Sequence, residues 1–168
     1  LIPDPGNPEI ATNPFGFNSV VTGAGYEPPA WLGSSSPAGS LAEIRVSSKV
    51  YRVRRAHYLY RPPGIPDSRP LPLLAVHDGI DYVNHAALAQ ALDSLIHDEV
   101  VRPFRAVLLN PKARHDEYVG SALHAAHLVE EVIPYLTRRV RTIEPLGVMG
   151  ASLGAVAALH AAHTYPGT

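Results

Sequence analysis

The sequence predicts an α/β fold: a three-layer sandwich whose mostly parallel sheet is preceded by an antiparallel hairpin. Three short apolar runs have the length and the turn-rich borders of strands that are buried on both faces of a parallel sheet. Segments with apolar residues at helical spacing alternate with these runs, and such alternation favours crossover connections between parallel strands. The predicted strands cover residues 73–76, 106–109 and 146–149, and the predicted helices cover residues 87–96, 121–139 and 155–162.

The antiparallel hairpin is predicted between residues 41 and 60. Its β-branched and aromatic residues fall into short runs, a pattern typical of strands, and the Pro-rich stretch 62–72 ends it. In the first helix Asn84 is a candidate N-cap, because its side chain can accept a hydrogen bond from a first-turn N–H. In the second helix Pro134 is expected to bend the last turns.

Residues 1–40 form an arm rich in Pro, Gly, Ser and Asn, with few periodic apolar positions. This composition predicts an extended arm, or a linker from an upstream domain. Its scattered apolar residues are too many for a solvated linker, so we expect the arm to pack on a domain. The predicted domain is residues 41–168, the N-terminal part of a larger fold that ends with the helix after Ser152.

Composition excludes several kinds of partner. Fourteen basic and fifteen acidic residues leave a net charge of -1, which predicts neither a nucleic-acid nor a membrane partner. Cysteine is absent, so no disulfide or thiolate metal site is expected. No apolar run is long enough to span a membrane, and the first residues lack the pattern of a signal peptide. The compartment stays open.

A candidate nucleophile lies in the run Gly150-Ala151-Ser152-Leu153-Gly154. This G-x-S-x-G sequence stands between a predicted strand and a predicted helix, the setting of a nucleophile elbow that exposes a serine hydroxyl. The N–H of Leu153, at the helix start, is a candidate oxyanion-hole donor. The alternative is a helix that begins with small residues, since the pentapeptide arises often by chance in a chain with 13 glycines.

A second candidate loop, His77-Asp78-Gly79-Ile80-Asp81, follows the first predicted parallel strand. Gly79 or Ile80 is the expected second oxyanion-hole donor, because Gly79 permits backbone dihedrals that turn an N–H inward. The alternative is an ordinary turn, since Asp-Gly is a common turn pair.

A third loop, which begins at Arg114, follows the next predicted strand and belongs to the same rim of the sheet. Arg114 and the carboxylate of Glu117 are candidates to bind a polar or anionic substrate and to brace each other. A solvated loop with a surface ion pair is the equally weighted alternative.

The nine histidines invite a metal site, but carboxylates at matching positions are missing and no H-E-x-x-H pattern occurs. No metal and no other cofactor is expected. His160 is excluded as the base for Ser152, because it lies roughly 12 Å farther along the helix at ~1.5 Å per residue.

Taken together, these motifs resemble the enterochelin esterase-like branch of the putative esterase family, whose members are α/β-hydrolases related to esterase D. The similarity covers most of residues 41–166, and the arm resembles the segment that joins an N-terminal sandwich domain to the hydrolase in such proteins. The matching pieces are Pro62-Pro63-Gly64, residues 73–81, Asn110-Pro111, Arg114, Glu117, Tyr118 and residues 150–154. The resemblance implies an α/β-hydrolase fold and the hydrolysis of a small carboxylic ester through acylation of Ser152, with Asp78, Arg114 and Glu117 at the substrate.

One departure from the family concerns the catalytic triad. Its acid and histidine follow the serine, yet only 16 residues follow Ser152 and none is Asp or Glu. We therefore expect another segment or a second chain to complete the domain and to supply both groups. A non-catalytic binding module with the same fold and an acyltransferase are the alternatives to an ester hydrolase.

Overall fold

The computed structural model describes residues 2–33, 36 and 38–167, so parts of the Ser-rich stretch near residue 35 lie outside the described residues. Strands and helices alternate through most of the chain. The strands are β1 (Ile10–Asn13), β2 (Gly16–Ser19), β3 (Ser40–Ser48), β4 (Val53–Arg61), β5 (Leu71–Val76), β6 (Arg105–Leu108) and β7 (Thr142–Met149). The helices are α1 (Gly79–Ala86), α2 (Leu88–His97), α3 (Arg114–Tyr118), α4 (Ala122–Ala126), α5 (Ile133–Thr137) and α6 (Leu153–Thr164), with a π-helical segment at His127–Val132.

Five strands form one open sheet in the order β3-β4-β6-β5-β7. The predicted hairpin is confirmed, since β3 and β4 pair antiparallel from Ser40 opposite Arg61 to Ser48 opposite Val53. Strand β4 also pairs antiparallel with β6, whereas β5 pairs parallel with both β6 and β7. The predicted α/β fold is therefore confirmed, with a sheet that is mixed rather than mostly parallel.

Both faces of the sheet are covered, which gives the three predicted layers. On one face the core residues of the sheet pack against the helical stretch from α4 to α5 and against α6, through residues such as Leu128, Leu136 and Ala161. On the other face Val76 and Leu108 pack against α1 and α2. All four residues of β6 are buried, as expected for a central strand that is covered on both sides.

The first predicted helix is confirmed as α2, and a further helix, α1, which the sequence analysis does not predict, lies directly before it. Asn84 lies inside α1 and does not cap a helix, so that prediction is wrong. The chain enters α1 directly from the loop after β5, and Tyr82 and Val83 of α1 pack against the core. Ala87, at φ 48°, then separates α1 from α2.

The second predicted helix is interrupted in its middle. Ser121 caps α4, since its Oγ accepts a hydrogen bond from the N–H of His124 at 3.3 Å. The π-helical segment comes next, and Pro134 lies in the first turn of α5. Because Pro134 has no N–H for the carbonyl of Glu130, four residues earlier, the regular hydrogen-bond pattern cannot continue across this point.

The arm contains an antiparallel hairpin that the sequence analysis does not predict. Strands β1 and β2 pair from Ile10 opposite Ser19 to Asn13 opposite Gly16. Most of their side chains are exposed, so they lack the alternation of apolar and polar residues by which a half-buried strand is recognised. The hairpin contacts the domain through Thr12, whose Oγ1 lies 3.1 Å from Nδ1 of His85 in α1.

Candidate active site

Ser152 occupies a sharp turn between β7 and α6. Its backbone has φ 53° and ψ -123°, a combination that a residue with a side chain rarely adopts, and its side chain is exposed. The turn is tight enough that a Cβ on Gly150 would lie 2.3 Å from the carbonyl oxygen of Gly154. This strain is what a nucleophile elbow requires, and it disfavours a plain small-residue helix start, which would leave Ser152 unstrained.

Two helices begin at this region: α6 directly after Ser152, and α1 directly after Asp78. Leu153 is the first residue of α6, and Ile80 is in the first turn of α1, so the N–H of neither residue has an acceptor within its helix. The N–H of Gly79 instead donates to the carbonyl of Leu109 at 3.2 Å. The sequence analysis offers Gly79 and Ile80 as alternatives for the second oxyanion-hole donor. The hydrogen bond of the Gly79 N–H disfavours Gly79, so Ile80 remains the candidate.

The glycine at position 79 serves packing rather than unusual dihedrals. A Cβ there would lie 2.5 Å from Cβ of Leu108, so only glycine fits. The positive φ of this loop belongs to its neighbour Asp78, at φ 55° and ψ 28°. The expectation that Gly79 supplies the special backbone conformation is therefore corrected.

Asp78 is held from two sides. Its carboxylate accepts hydrogen bonds from Nε and NH2 of Arg114, at 2.9 Å to Oδ1 and 2.7 Å to Oδ2. Its N–H donates to the hydroxyl oxygen of Tyr118 at 3.1 Å. The hydrogen bond to Asp78 raises the pKa of Arg114, so this guanidinium stays charged. Arg114 does brace a carboxylate, as expected, but its partner is Asp78 rather than Glu117.

Glu117 is buried behind the site and does not line the cleft. Its Oε2 accepts a hydrogen bond from Arg55, and its Oε1 accepts from the N–H groups of Lys112 and Ala113 at 2.8 and 2.9 Å. Burial raises the pKa of Glu117, but these hydrogen bonds outweigh it, and the pKa is lowered overall. The expected substrate contact is replaced by a bracing role, because Glu117 fixes the start of α3 and thereby places Arg114 and Tyr118.

A cleft of about 580 Å³ opens above Ser152. Of the residues expected at the site, it contains Ser152, Asp78 and Arg114. The other residues that line it come from the arm hairpin, α1 and the loops after β6 and β7: Pro14, Phe15, Asp81, Tyr82, His85, Ala86, Asn110, Pro111 and Ala151. The residues of α1 and of the arm were missed because neither element is predicted from the sequence.

Four histidines are buried behind the cleft: His57, His77, His124 and His127. Because the N–H of Asn110 donates to Nδ1 of His57, the proton of neutral His57 is on Nε2, which lies 3.0 Å from Nε2 of His127. Nδ1 of His127 in turn lies 2.6 Å from Oε2 of Glu131. The hydrogen bonds thus form one directed chain from the Asn110 backbone to Glu131.

The remaining two buried histidines stand nearer to the elbow. His77 and His124 pack against each other and against Tyr118, with ring centroids 5.0 to 5.2 Å apart. Nδ1 of His77 lies 3.1 Å from the carbonyl oxygen of Met149, so it carries the proton and joins the ends of β5 and β7. Among the described residues no group of His, Cys, Asp or Glu has the arrangement of a metal site.

No described side chain hydrogen-bonds to the Ser152 hydroxyl. His85 lines the same cleft, but its Nδ1 hydrogen-bonds with Oγ1 of Thr12. Serine needs a base within hydrogen-bond reach to become a nucleophile. The described residues therefore place a strained, exposed serine beside two helix N-termini, with no base hydrogen-bonded to its hydroxyl.

None of the helices in the described part of the chain combines the length and the apolar character that a bilayer crossing requires.

Several solved structures share the fold. The enterobactin esterase of Shigella flexneri, solved in the presence of enterobactin, has a TM-score of 0.79 and 21% identity over 98% of this chain and 44% of its own. The ferric enterobactin esterase of Salmonella typhimurium has a TM-score of 0.74 and 19% identity over the same shares.

The ferulic acid esterase of the anaerobic fungus Anaeromyces mucronatus has a TM-score of 0.64 and 17% identity over 84% of this chain and 56% of its own. The chain thus spans less than half of the length of the enterobactin esterases that it resembles. No curated protein sequence matches it. A family model with the description Putative esterase matches residues 48–168, most of the chain. The chain therefore belongs to the Putative esterase family.

Proposed function

We propose that this chain provides the nucleophile and the oxyanion hole of a serine-dependent carboxylic ester hydrolase. The observation that carries the proposal is the backbone of Ser152, held at φ 53° and ψ -123° with its side chain exposed in a cleft. Such strain costs of the order of 1–3 kcal/mol, and it is typical of functional sites. Membership of the Putative esterase family and the esterases of like fold support an ester as the substrate.

In the proposed reaction Oγ of Ser152 attacks the ester carbonyl carbon and forms a C–O bond. The carbonyl oxygen becomes an oxyanion, which accepts hydrogen bonds from the N–H groups of Leu153 and Ile80. The C–O bond to the alcohol then breaks, and the serine proton passes through a general base to the leaving alcohol. Water attacks the acyl-enzyme in the same way and releases the carboxylic acid.

The general base and its acid partner are proposed to come from residues outside the described part of the chain, because no described side chain contacts the Ser152 hydroxyl. Asp78 and Arg114 neutralise each other at the cleft, so they are proposed to shape and orient the loop before Ile80 and to offer polar contacts to substrate. No cofactor takes part in the proposed reaction.

The test is covalent labelling and turnover in the intact polypeptide. Wild-type protein should react with a fluorophosphonate probe and hydrolyse p-nitrophenyl esters, and Ser152→Ala should abolish both. Ser47→Ala, which changes an exposed serine on β3, is the matched control and should leave both unchanged. Labelling that persists in Ser152→Ala would contradict the proposal.

A non-catalytic binding module is the second candidate, and the missing base beside Ser152 favours it. It predicts an intact polypeptide that binds an ester without hydrolysing it and resists the fluorophosphonate probe. An acyltransferase would label like a hydrolase. It would differ in transferring the acyl group to an added alcohol in preference to water.

A further inference from the structure

One wall of the cleft is unused by the proposed reaction and belongs to the arm rather than to the domain core. Pro14 and Phe15, which we call the hairpin tip, connect β1 to β2 and line the same cleft as Ser152. Phe15 is 77% exposed, although an aromatic ring of its size gains free energy when it is buried. An exposed aromatic ring at the wall of a cleft has the character of a ligand contact.

The hairpin tip has a defined conformation. Oδ1 of Asn13 accepts a hydrogen bond from the N–H of Phe15 at 2.8 Å, and Gly16 supplies a positive φ of 127°. These interactions define the backbone of the turn that carries Phe15, so a ligand would lose little entropy in ordering that backbone.

The hairpin is also attached to its surroundings. Oγ1 of Thr12 lies 3.1 Å from Nδ1 of His85, and α1 carries both His85 and the Ile80 N–H. Within the arm, the N–H of Asp4 donates to Oγ of Ser19 at 2.7 Å, and Nδ2 of Asn7 donates to the carbonyl of Val20 at 2.8 Å. The Thr12–His85 hydrogen bond therefore holds the hairpin against α1, the helix whose first turn contains Ile80.

The rest of the cleft lining is mainly apolar. Tyr82, Ala86, Pro111 and Ala151 line the cleft with the hairpin tip, and of the charged residues there Asp78 and Arg114 neutralise each other. A group that enters between these walls exchanges water for apolar contacts, and the further carboxylate in the cleft, that of Asp81, repels an anionic group. The chemistry of the walls thus suits an uncharged, apolar group.

We propose that the hairpin tip is a specificity element of the active site, with Phe15 packing against an uncharged apolar group of the substrate ester. This inference rests on the proposed ester hydrolase function and names the substrate class: esters that carry a bulky apolar group on the acyl or the alcohol side. The arm, and not the domain alone, then determines which esters are turned over.

The test compares Phe15→Ala with Phe17→Ala in the intact polypeptide. Phe17 lies in β2 of the same hairpin, is 50% exposed and does not line the cleft, so it is a matched control. The substrates are vinyl acetate, which is small on both sides, vinyl benzoate and 1-naphthyl acetate. Phe15→Ala should lower kcat/KM about 10-fold for at least one bulky ester and less than twofold for vinyl acetate. Phe17→Ala should change none of the three.

Equal loss on all three esters, or no loss on any, would overturn the specificity role. A second measurement separates this inference from the proposed function: calorimetric binding of 1-naphthylacetamide, an amide that is not turned over. If wild-type protein hydrolyses none of the esters, the hydrolase proposal fails. In that case the role of the hairpin tip in ligand binding is still supported if Phe15→Ala binds the amide about 10-fold more weakly than wild type. It is overturned if the two proteins bind the amide equally or if wild type does not bind it.

Discussion

The guanidinium of Arg114 donates two hydrogen bonds, of 2.9 and 2.7 Å, to the carboxylate of Asp78, and the backbone of Asp78 has a positive φ. The pair joins the loop after β6 to the loop after β5. Since Ile80 follows Asp78 by two residues, the direction of its N–H depends on how firmly Asp78 is held.

Replacing Arg114 should therefore harm turnover more than folding. We expect Arg114→Met to lower kcat/KM for p-nitrophenyl acetate by about 10-fold or more, because a small displacement of an oxyanion donor is costly. Arg114→Lys should recover only part of the loss, since an ammonium cannot reproduce the two parallel hydrogen bonds. Arg102→Met, at an exposed loop position, is the control. Equal activity of Arg114→Met and Arg102→Met would contradict the role of this pair.

The strained backbone of Ser152 should lower the free energy of unfolding of the protein. Ser152→Gly is expected to raise the free energy of unfolding by about 1 kcal/mol, because glycine relieves the strain at φ 53° and loses only part of that gain as conformational entropy. Ala151→Gly, one residue earlier and without a positive φ, should lower it by about 0.5–1 kcal/mol. Urea denaturation measures both. A loss of stability in Ser152→Gly would argue against a strained elbow.

The buried Arg55–Glu117 pair should be critical for folding. Both side chains are nearly inaccessible, at 5% and 6% exposed, so Arg55→Met leaves an unpaired buried carboxylate and should cost about 3–5 kcal/mol. The double variant Arg55→Met, Glu117→Gln should recover part of this loss. Arg45→Met removes an exposed pair with Glu43 and should cost far less than Arg55→Met, because solvent screens this pair. Similar losses in Arg55→Met and Arg45→Met would refute the distinction.

Stability should fall steeply in mild acid. Burial lowers the pKa of His57 and of His124 to about 3, from an ordinary value of 6.5. Between these values the unfolded chain binds protons that the folded chain does not, so the free energy of unfolding decreases as the pH falls below about 6.5.

Protonation of Glu131 should lower the free energy of unfolding further in stronger acid. Burial raises the pKa of Glu131, but its hydrogen bonds, of which that with His127 has the largest effect, lower the pKa to about 2. The stabilising contribution of Glu131 is therefore present above about pH 4.5 and is lost as the pH falls through 2. Chemical denaturation at several pH values measures the slope. His124→Phe should reduce the slope by up to about one proton, because it removes one of the buried titrating groups. His115→Phe, at an exposed position, should leave the slope unchanged and serves as the control.

Much of the domain could be predicted from the sequence because its strands are short apolar runs with turn residues at both ends. The arm hairpin could not, since the side chains of β1 and β2 are mostly exposed and the pairing depends on local hydrogen bonds of Asn and Ser. At the site, the tight turn at Ser152 could be predicted from the spacing of Gly150, Ser152 and Gly154. The roles of Asp78 and Glu117 could not, because two acidic residues in polar loops look alike until the fold buries one of them.

The ends of β5 and β7 are joined where the N–H of His77 donates to the carbonyl of Met149 at 2.8 Å, beside the contact of the His77 ring with the same oxygen. The two helices that present the candidate oxyanion donors thus start from adjacent strands of a hydrogen-bonded sheet, and the sheet sets the distance between them. Loops around the cleft can then be lengthened, shortened or exchanged without resizing the hole. Changes in the loops or the arm would then alter what enters the cleft while the two helix starts keep their spacing.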